Sequence, residues 1–312
     1  MTVHTQLQEK DIQNIADDYA LNVIDFEPLI GGSDNSNFLL QTCQGDYVLT
    51  VYEQLTMADA VKFVQLLLML AEHDYPTTRI VVPVQGELVK VFREKPVMIK
   101  EYIPGNVFKD LNETMLRQVG AAMAQLHQIP VPGFLSQSKP YGILHFSEVV
   151  GRNIDLEYES WAVEEFAKLK RKIPPGLPWG LIHSDVFFNN VLFIGDQLIA
   201  IIDFMDALPY FLAYDLGMGM VGLCSKNSVL EIDKARALVE GYQNIRELEK
   251  NEKKSLQYFA EYAATAVSGW RFWRFHFDKP STAQADSYQW MKHLAEEIMG
   301  IPKTEFIKEI FG

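Results

Sequence analysis

The spacing of apolar residues changes along this chain and divides it into two parts. Residues 1–103 contain short β-rich runs and some helical patterns, whereas amphipathic helical patterns dominate from residue 104 onward. The change falls at Ile103-Pro104-Gly105, where the proline ring restricts Ile103 to an extended conformation. The pattern predicts an α+β, bilobal chain: an N-terminal antiparallel β-sheet lobe with a helix, and a larger, mainly α-helical C-terminal lobe.

Turn and cap signals place the individual elements. Helical spacing covers residues 6–20 and 59–73, the second with Thr56 as its N-cap. Two β-rich runs, 37–42 and 46–52, are joined by Cys43-Gln44-Gly45, which indicates a hairpin. The remaining predictions are strands at 80–84, 88–92 and 97–103, helices at 113–127 and 157–172, a β-containing window at 181–204, and helices again from 231.

Composition narrows the class of protein. The formal net charge is -13, and a nucleic-acid partner is therefore not expected, because such proteins normally present a basic surface. Cys43 and Cys224 are the only cysteines and lie far apart, which disfavours a disulfide framework and a structural zinc site. The N-terminus lacks an apolar signal region, and the longest apolar run is too short to span a bilayer. We expect a soluble cytoplasmic protein, monomeric or homodimeric, without a membrane partner.

One segment carries residues suited to catalysis. Four residues separate Asp185, in His183-Ser184-Asp185, from Asn190, and an apolar strand then ends at Asp203. Phosphoryl transfer from ATP to an alcohol needs a group that accepts the hydroxyl proton and oxygen ligands for Mg²⁺. Asp185 could supply the first, and Asn190 and Asp203 the second.

Each of these residues has a simpler interpretation when it is taken alone. An isolated Asp near a strand end is usually a turn or cap residue. The order and spacing of all three favour phosphotransferase chemistry instead. We expect His183 and Asp215 to support the catalytic loop rather than to react, through hydrogen bonds with backbone groups.

Three segments resemble those of a known superfamily, the aminoglycoside phosphotransferases and choline kinases, which share a protein-kinase-like fold. They are GSDNSNF at 32–38 with YVLTVYE at 47–53; HSDVFFNNVLF at 183–193 with IDF at 202–204 and YDL at 214–216; and ARAL at 235–238 with GYQ at 241–243 and RFW at 271–273. The second identifies the superfamily. The first and third resemble its type II homoserine kinase branch, which acts in threonine biosynthesis.

This resemblance implies transfer of the ATP γ-phosphate to the side-chain hydroxyl of L-homoserine, giving O-phospho-L-homoserine. It implies that Asp185 is the catalytic base and that Asn190 and Asp203 are ligands of Mg²⁺. It also implies an N-terminal nucleotide-binding lobe at 1–103 and a catalytic and acceptor-binding lobe at 104–312. The implied ATP-binding residues are Gly31, Gly32, Ser33, Asn35, Ser36 and Asn37 in a phosphate loop, Thr50 on a strand, and Glu101 and Ile103 on the adenine-binding hinge.

The sequence departs from the superfamily pattern at three positions. Ser184 stands where many members have Gly, and Asn189 where an Asp is frequent, but neither change removes a proposed ligand. Thr50 stands where kinase-like folds usually have a phosphate-binding Lys. This leaves open which cation, if any, neutralises the phosphates; Lys100 is close in sequence, although exposure at the hinge is its simpler interpretation.

An amino-acid acceptor needs a cation for its carboxylate and an acid for its ammonium group. Arg271 and Asp206 are the candidates, against the alternatives of an internal salt bridge for Arg271 and a turn residue for Asp206. The aromatic cluster at 270–277 could form a cation cage, but aromatic residues at this density on a helix usually belong to the core.

Two other hypotheses about function stay open. A related kinase could act on choline, ethanolamine, hydroxylysine or an aminoglycoside. A pseudokinase that binds nucleotide without catalysis is motivated by the missing strand Lys, and the presence of Asp185, Asn190 and Asp203 argues against it.

Overall fold

The computed structural model describes residues 5–29, 34–135 and 149–312. The chain divides into two compact units, Met1–Gly105 and Asn106–Gly312. Each unit has its own strands, helices and buried residues.

The first unit is an antiparallel sheet with a helix on each face. Its elements are α1 (Glu9–Asp17), β1 (Val23–Pro28), β2 (Ser36–Thr42), β3 (Gly45–Val51), α2 (Met57–Glu72), β4 (Ile80–Val81), β5 (Lys90–Phe92) and β6 (Lys95–Glu101). The strand order is β1-β2-β3-β6-β4, with β5 also paired to β6. In this register Thr50 lies opposite Asn37 on one side and opposite Met98 on the other.

Alternating side chains of the sheet form two small cores. Leu49, Val51 and Ile99 pack with Ile12 and Ile15 of α1. On the opposite face, the buried residues of the second core are Tyr52, Ala60, Val64, Val89 and Met98, of which Ala60 and Val64 belong to α2. The period of two between buried residues explains how one strand serves both cores.

The predicted hairpin and the predicted helix after it are confirmed in the first unit. The Thr56 side chain accepts a hydrogen bond from the Asp59 N–H and caps α2. The strands predicted at 80–84 and 88–92 are shorter than expected. Pro83 has no N–H to donate to a ladder, and this explains why β4 ends at Val81.

The second unit is mainly helical, and its described residues form three two-stranded sheets. Its elements are α3 (Glu113–Leu126), α4 (Leu156–Lys172), β7 (Trp179–Ile182), β8 (Val191–Ile194), β9 (Gln197–Ile201), β10 (Leu208–Phe211), α5 (Leu212–Leu223), β11 (Ser225–Lys226), β12 (Val229–Leu230), α6 (Ile232–Gln243), α7 (Lys250–Trp273), a π-helical turn (Arg274–Asp278), α8 (Ser287–Gly300) and α9 (Lys303–Phe311). The predicted β window at 181–204 contains the end of β7 and the β8–β9 ladder, while β10, which pairs with β7, lies beyond the window. No helix in the described ranges is long and apolar enough to cross a membrane.

Helices α3 and α6 approach each other so closely that their backbones touch. A Cβ atom on Gly120 would lie 2.0 Å from the Leu238 carbonyl oxygen, and one on Gly241 would lie 2.0 Å from that of Arg117. Only glycine fits at such a contact. The close packing brings the last turn of α6 beside His127, the residue that ends α3.

Candidate active site

The catalytic loop connects β7 to β8 and is held closed by Asn190. The Asn190 side-chain N–H₂ group donates to the Asp185 carbonyl oxygen (2.8 Å) and to Asp185 Oδ2 (2.9 Å). This fixes the orientation of the amide and directs its Oδ1 away from the Asp185 carboxylate. Asn190 itself is buried in a 3₁₀ turn, and its carbonyl accepts from the Ile202 N–H, which ties the loop to the end of β9.

His183 braces the loop through both ring nitrogens. Its Nε2 donates to the Ile202 carbonyl oxygen (2.9 Å), and its Nδ1 accepts from the Asp185 N–H (3.2 Å). The ring also packs edge-on against Phe204. With both nitrogens used in this way, the imidazole is oriented to position the backbone of Asp185.

Asp215 accepts hydrogen bonds from backbone N–H groups of the catalytic loop. Its carboxylate accepts from Ser184 N (2.7 Å) and His183 N (3.0 Å), and from His127 Nε2 (3.0 Å). Burial alone would raise the pKa of Asp215, but the hydrogen bonds from His127 and from the loop outweigh it and lower the pKa. Asp215 is therefore a fully buried anion at neutral pH.

Two residues of the site adopt left-handed backbone conformations. Ser184 and Asp203 both have φ of 67°, a region that non-glycine residues rarely occupy. The Ser184 hydroxyl donates to the Asp206 carbonyl oxygen (2.8 Å), and its N–H is held by Asp215. These bonds offset the cost of the left-handed conformation at Ser184.

The carboxylates of Asp203 and Asp206 lie near that of Asp185. Asp203 follows β9, and Asp206 ends the 3₁₀ turn after it. Burial, followed by the negative charges of Asp206 and Asp203, raises the pKa of Asp185 to about 7, against the opposing hydrogen bond from Asn190. The site thus concentrates negative charge and oxygen ligands around one half-buried carboxyl group.

The residue set suits Mg²⁺, which prefers oxygen ligands and usually keeps non-protein oxygens in its shell. The oxygens on hand are the Asp203 carboxylate and Asn190 Oδ1. In the part of the chain that the structure describes, no three His, Cys, Asp or Glu side chains form a metal site by themselves. A divalent cation here would be held by few protein ligands and would neutralise the clustered carboxylates.

The predicted acceptor residues lie on different elements of the second unit. Asp206 belongs to the carboxylate cluster just described. Arg271 lies in the last turn of α7, and its Nη1 donates to the Ser287 carbonyl oxygen (3.2 Å). Its neighbour Phe272 is fully buried against Tyr158 and Tyr288, so this part of the aromatic cluster is core.

Some of the predicted ATP-binding residues lie outside the described residues, namely Gly31, Gly32 and Ser33. Thr50 is buried, and its hydroxyl donates to the Asn37 side-chain oxygen (2.7 Å). Lys100 is half-buried, with its ammonium group 5.8 Å from the centre of the Tyr52 ring. Thr50 therefore orients Asn37, a residue of the predicted phosphate loop.

Ser36 and Asn35 are held by the chain at the end of β3. The Ser36 hydroxyl donates to the Glu53 carboxylate and accepts from the Thr5 N–H, while Asn35 Oδ1 accepts from the Glu53 N–H (3.4 Å). Glu53 in turn forms a salt bridge with Lys95. These contacts place Ser36 in a buried polar network.

The hinge residues end the last strand of the first unit. The Glu101 N–H donates to the Arg79 carbonyl oxygen (2.9 Å), and Ile103 follows the end of β6. The Ile103 carbonyl accepts from the Gly105 N–H (2.9 Å), which forms a tight turn at the predicted break.

Sequence reasoning missed two residues that shape the loop. His127 extends the apolar face of α3 beyond Leu126, and a histidine on such a face was the available signal. Gly222 lies where α5 touches the catalytic loop, since a Cβ atom there would be 2.2 Å from the Val186 carbonyl oxygen. Nothing in the sequence around Gly222 indicated this contact.

This combination of fold and site defines a phosphotransferase, and comparison with known proteins agrees. The family model described as "Phosphotransferase enzyme family" matches residues 25–248, and the chain belongs to that family. Homoserine kinase of Rhizobium meliloti (strain 1021) is 30% identical over 273 residues, covering 85% of this chain and 84% of the relative. Homoserine kinase of Caulobacter sp. (strain K31) is 31% identical over 274 residues, with 85% and 86% covered.

Solved structures show the same fold at lower sequence identity. The microcompartment-associated aminopropanol kinase superposes with a TM-score of 0.75 at 17% identity, covering 97% of this chain and 100% of that one. Amicoumacin kinase hAmiN, solved in complex with AMP-PNP, Ca²⁺ and Ami, has a TM-score of 0.74 at 14% identity, with 96% and 97% covered. The predicted fold class, and the resemblance to the phosphotransferase superfamily and its homoserine kinases, are confirmed.

Proposed function

We propose that this chain is an ATP- and Mg²⁺-dependent kinase that phosphorylates the side-chain hydroxyl of L-homoserine. The observation that carries the proposal is the Asp185 carboxylate, fixed by Asn190 beside the carboxylates of Asp203 and Asp206. The acceptor is taken from the homoserine kinases that resemble this chain over 85% of its length.

Asp185 is the proposed base. Its carboxylate oxygen accepts the proton of the homoserine hydroxyl while the hydroxyl oxygen forms a bond to the γ-phosphorus of ATP. The bond from that phosphorus to the β–γ bridging oxygen breaks, and ADP carries away its electron pair. The burial and nearby charge that raise the pKa of Asp185 make it a stronger base than an ordinary carboxylate.

Asn190 and Asp203 are the proposed Mg²⁺ ligands. When bound, Mg²⁺ neutralises charge on the phosphate oxygens. Asp203 has a left-handed backbone at the end of β9, and its carboxylate lies near that of Asp185. The hydrogen bonds of Asn190 to Asp185 use its side-chain N–H₂ group, and its Oδ1 accepts from the Asn189 side chain (3.0 Å) and keeps a second lone pair for a metal ion.

The first unit supplies the proposed ATP contacts. These are Gly31, Gly32, Ser33, Asn35, Ser36 and Asn37 around the phosphates, with Thr50 beside them, and Glu101 and Ile103 along adenine. Support comes from the bond between Thr50 and Asn37, which orders a side chain of the loop. Ser36 is held by Glu53, and its hydroxyl is therefore already engaged within the first unit.

Recognition of the amino acid is proposed for Asp206 and Arg271. Asp206 is placed in the same carboxylate cluster as Asp185, where it could pair with the ammonium group of homoserine. Arg271 offers the planar, bidentate donor set that a carboxylate prefers.

An acceptor panel tests this function. Release of ADP is followed with L-homoserine, choline, ethanolamine, hydroxylysine and an aminoglycoside as alternative acceptors. We expect release that depends on homoserine, its loss in Asp185→Asn, and its retention in Asp196→Asn, a matched change at an exposed hairpin residue. Release that depends on another acceptor would contradict the assignment of homoserine, and no release with any acceptor would contradict the kinase itself.

A further inference from the structure

A line of buried polar side chains leads away from the catalytic loop into the second unit. Beyond Asp215, His127 Nδ1 lies 2.7 Å from the Tyr242 hydroxyl, and that hydroxyl is 3.1 Å from Arg246 Nη1. Arg246 then meets Glu252 through both terminal nitrogens, each at 3.0 Å. Asp215, His127, Tyr242 and Glu252 are buried, and none of them is one of the proposed catalytic or metal-binding residues.

The hydrogen bonds in this line can be satisfied in only one direction. Asp215 is an anion and can only accept, so His127 Nε2 carries a proton and donates to it. Arg246 can only donate, so the Tyr242 oxygen accepts from it and the Tyr242 O–H donates to His127 Nδ1. The imidazole is therefore neutral, with its proton on Nε2. If the ring were doubly protonated, its Nδ1–H would point at the Tyr242 hydroxyl and Nδ1 could no longer accept the Tyr242 O–H. That O–H has no other acceptor among the described contacts.

The far end of the line is rigid. The Arg246–Glu252 pair is bidentate, and the Glu252 carboxylate also accepts from the Glu249 N–H at the start of α7. The near end is set by the close approach of α3 and α6 at Gly120 and Gly241, where each glycine lies against the backbone of the facing helix. This approach brings Tyr242 against His127. The line thus connects the helix α7 terminus with the backbone of the catalytic loop.

We propose that Tyr242 and Arg246 are positioning residues for phosphoryl transfer. They hold His127 in the tautomer whose Nε2–H donates to Asp215 and orients its carboxylate. The carboxylate then accepts the N–H groups of His183 and Ser184, and those two bonds place Asp185. The inference rests on the proposed kinase function for its effect on rate, whereas the tautomer of His127 is a property of the chain alone.

Tyr242→Phe in the full chain is the test, because it removes one hydroxyl and keeps the ring that packs on His127. We expect kcat to fall about 10- to 100-fold, the loss typical of a misplaced catalytic group, while KM for ATP and for homoserine stays within about twofold. Tyr258→Phe is the matched control. Its hydroxyl donates to the Leu169 carbonyl elsewhere in the same unit, and its removal should leave kcat unchanged.

Nitrogen NMR of histidine-labelled protein reads the tautomer without any substrate. In the wild-type chain His127 should be neutral with its proton on Nε2, and in Tyr242→Phe the Nδ1 tautomer should become populated. A wild-type His127 protonated on Nδ1 would overturn the proposal, as would an unchanged kcat in Tyr242→Phe. If the wild-type chain phosphorylates none of the acceptors, the kinase function fails, and the NMR result still decides whether the line of hydrogen bonds is as described.

Discussion

The carboxyl group of Asp185 has two kinds of neighbour with opposite effects. The Asn190 amide donates to it and stabilises its charged form, while Asp203 and Asp206 repel that charge. A carboxylate that is fixed in position, and whose ionised form is destabilised, is well placed to accept a proton from an alcohol. Both effects depend on the backbone that Ser184 and Asp203 hold in left-handed conformations.

Asn190→Ala tests the first kind of neighbour. The change removes both hydrogen bonds to Asp185 and one proposed Mg²⁺ ligand, so we expect kcat to fall by about 100-fold or more. Steady-state kinetics at several Mg²⁺ concentrations measures it. Asn189→Ala, at the exposed residue before it, removes only a donor to Asn190 Oδ1 (3.0 Å) and keeps both bonds to Asp185, so it should cost far less. Equal losses for the two variants would count against the role of Asn190.

Thr50→Val tests the strand residue that stands in place of the usual Lys. The variant loses the bond that orients Asn37, a bond worth about 0.5–1.5 kcal/mol. We therefore expect KM for ATP to rise about 2- to 10-fold with KM for homoserine unchanged. Thr42→Val removes a similar bond, to Gly45, at the other end of the hairpin and serves as the control. A rise in both KM values would argue against a local effect on the nucleotide.

Among the helices and strands, those predicted correctly from the sequence have strong local signals. The Cys43-Gln44-Gly45 turn and the Thr56 cap specified the β2–β3 hairpin and α2 without help from distant residues. The pairing of β7 with β10 was not predictable, because it joins segments separated by another hairpin. The same limit applies to the site. Spacing indicated Asp185, Asn190 and Asp203, whereas the hydrogen bond between His127 and Asp215 joins residues far apart in sequence and could not be predicted from it.

Gly241→Ala tests the contact between α3 and α6. The new methyl group would lie 2.0 Å from the Arg117 carbonyl oxygen, so the helices must separate, at a cost of about 1–3 kcal/mol in the free energy of unfolding. Because Tyr242 is the next residue, kcat should fall as well. Gly300→Ala, where a Cβ atom meets nothing within 4 Å, is the control and should be neutral or slightly stabilising. A Gly241→Ala variant with wild-type stability and kcat would show that α3 and α6 can separate without loss of either.

At the scale of the whole molecule, each unit contains its own buried ionic network. One in the second unit is the line from Glu252 to Asp215, and one in the first joins Glu53 with Lys95, Ser36 and Thr5. Burial would raise the pKa of Glu53, but the hydrogen bonds from Lys95, Ser36 and Thr5 lower it from 4.5 to about 2. A group with a depressed pKa stabilises the folded state above its unfolded pKa and loses that contribution as the pH falls.

Glu53→Gln tests this linkage by mimicking the protonated side chain. The free energy of unfolding of the wild type should exceed that of the variant by a constant amount above about pH 5, and the difference should shrink as the pH falls from 4.5 toward 2. Urea unfolding at a series of pH values measures the free energy of unfolding of both proteins. Where the two units unfold separately, each transition is analysed by itself. A difference that does not change with pH would rule out the depressed pKa.

The central claim is that Asp185 directs the ATP γ-phosphate onto the side-chain hydroxyl of homoserine. Phosphorus NMR of a reaction with ATP, Mg²⁺ and L-homoserine tests it most directly. We predict a phosphate monoester whose resonance is split by the side-chain methylene protons of homoserine, formed together with ADP by the wild-type chain and absent with Asp185→Asn. Inorganic phosphate without the monoester, or the same monoester from both proteins at equal rates, would contradict the claim.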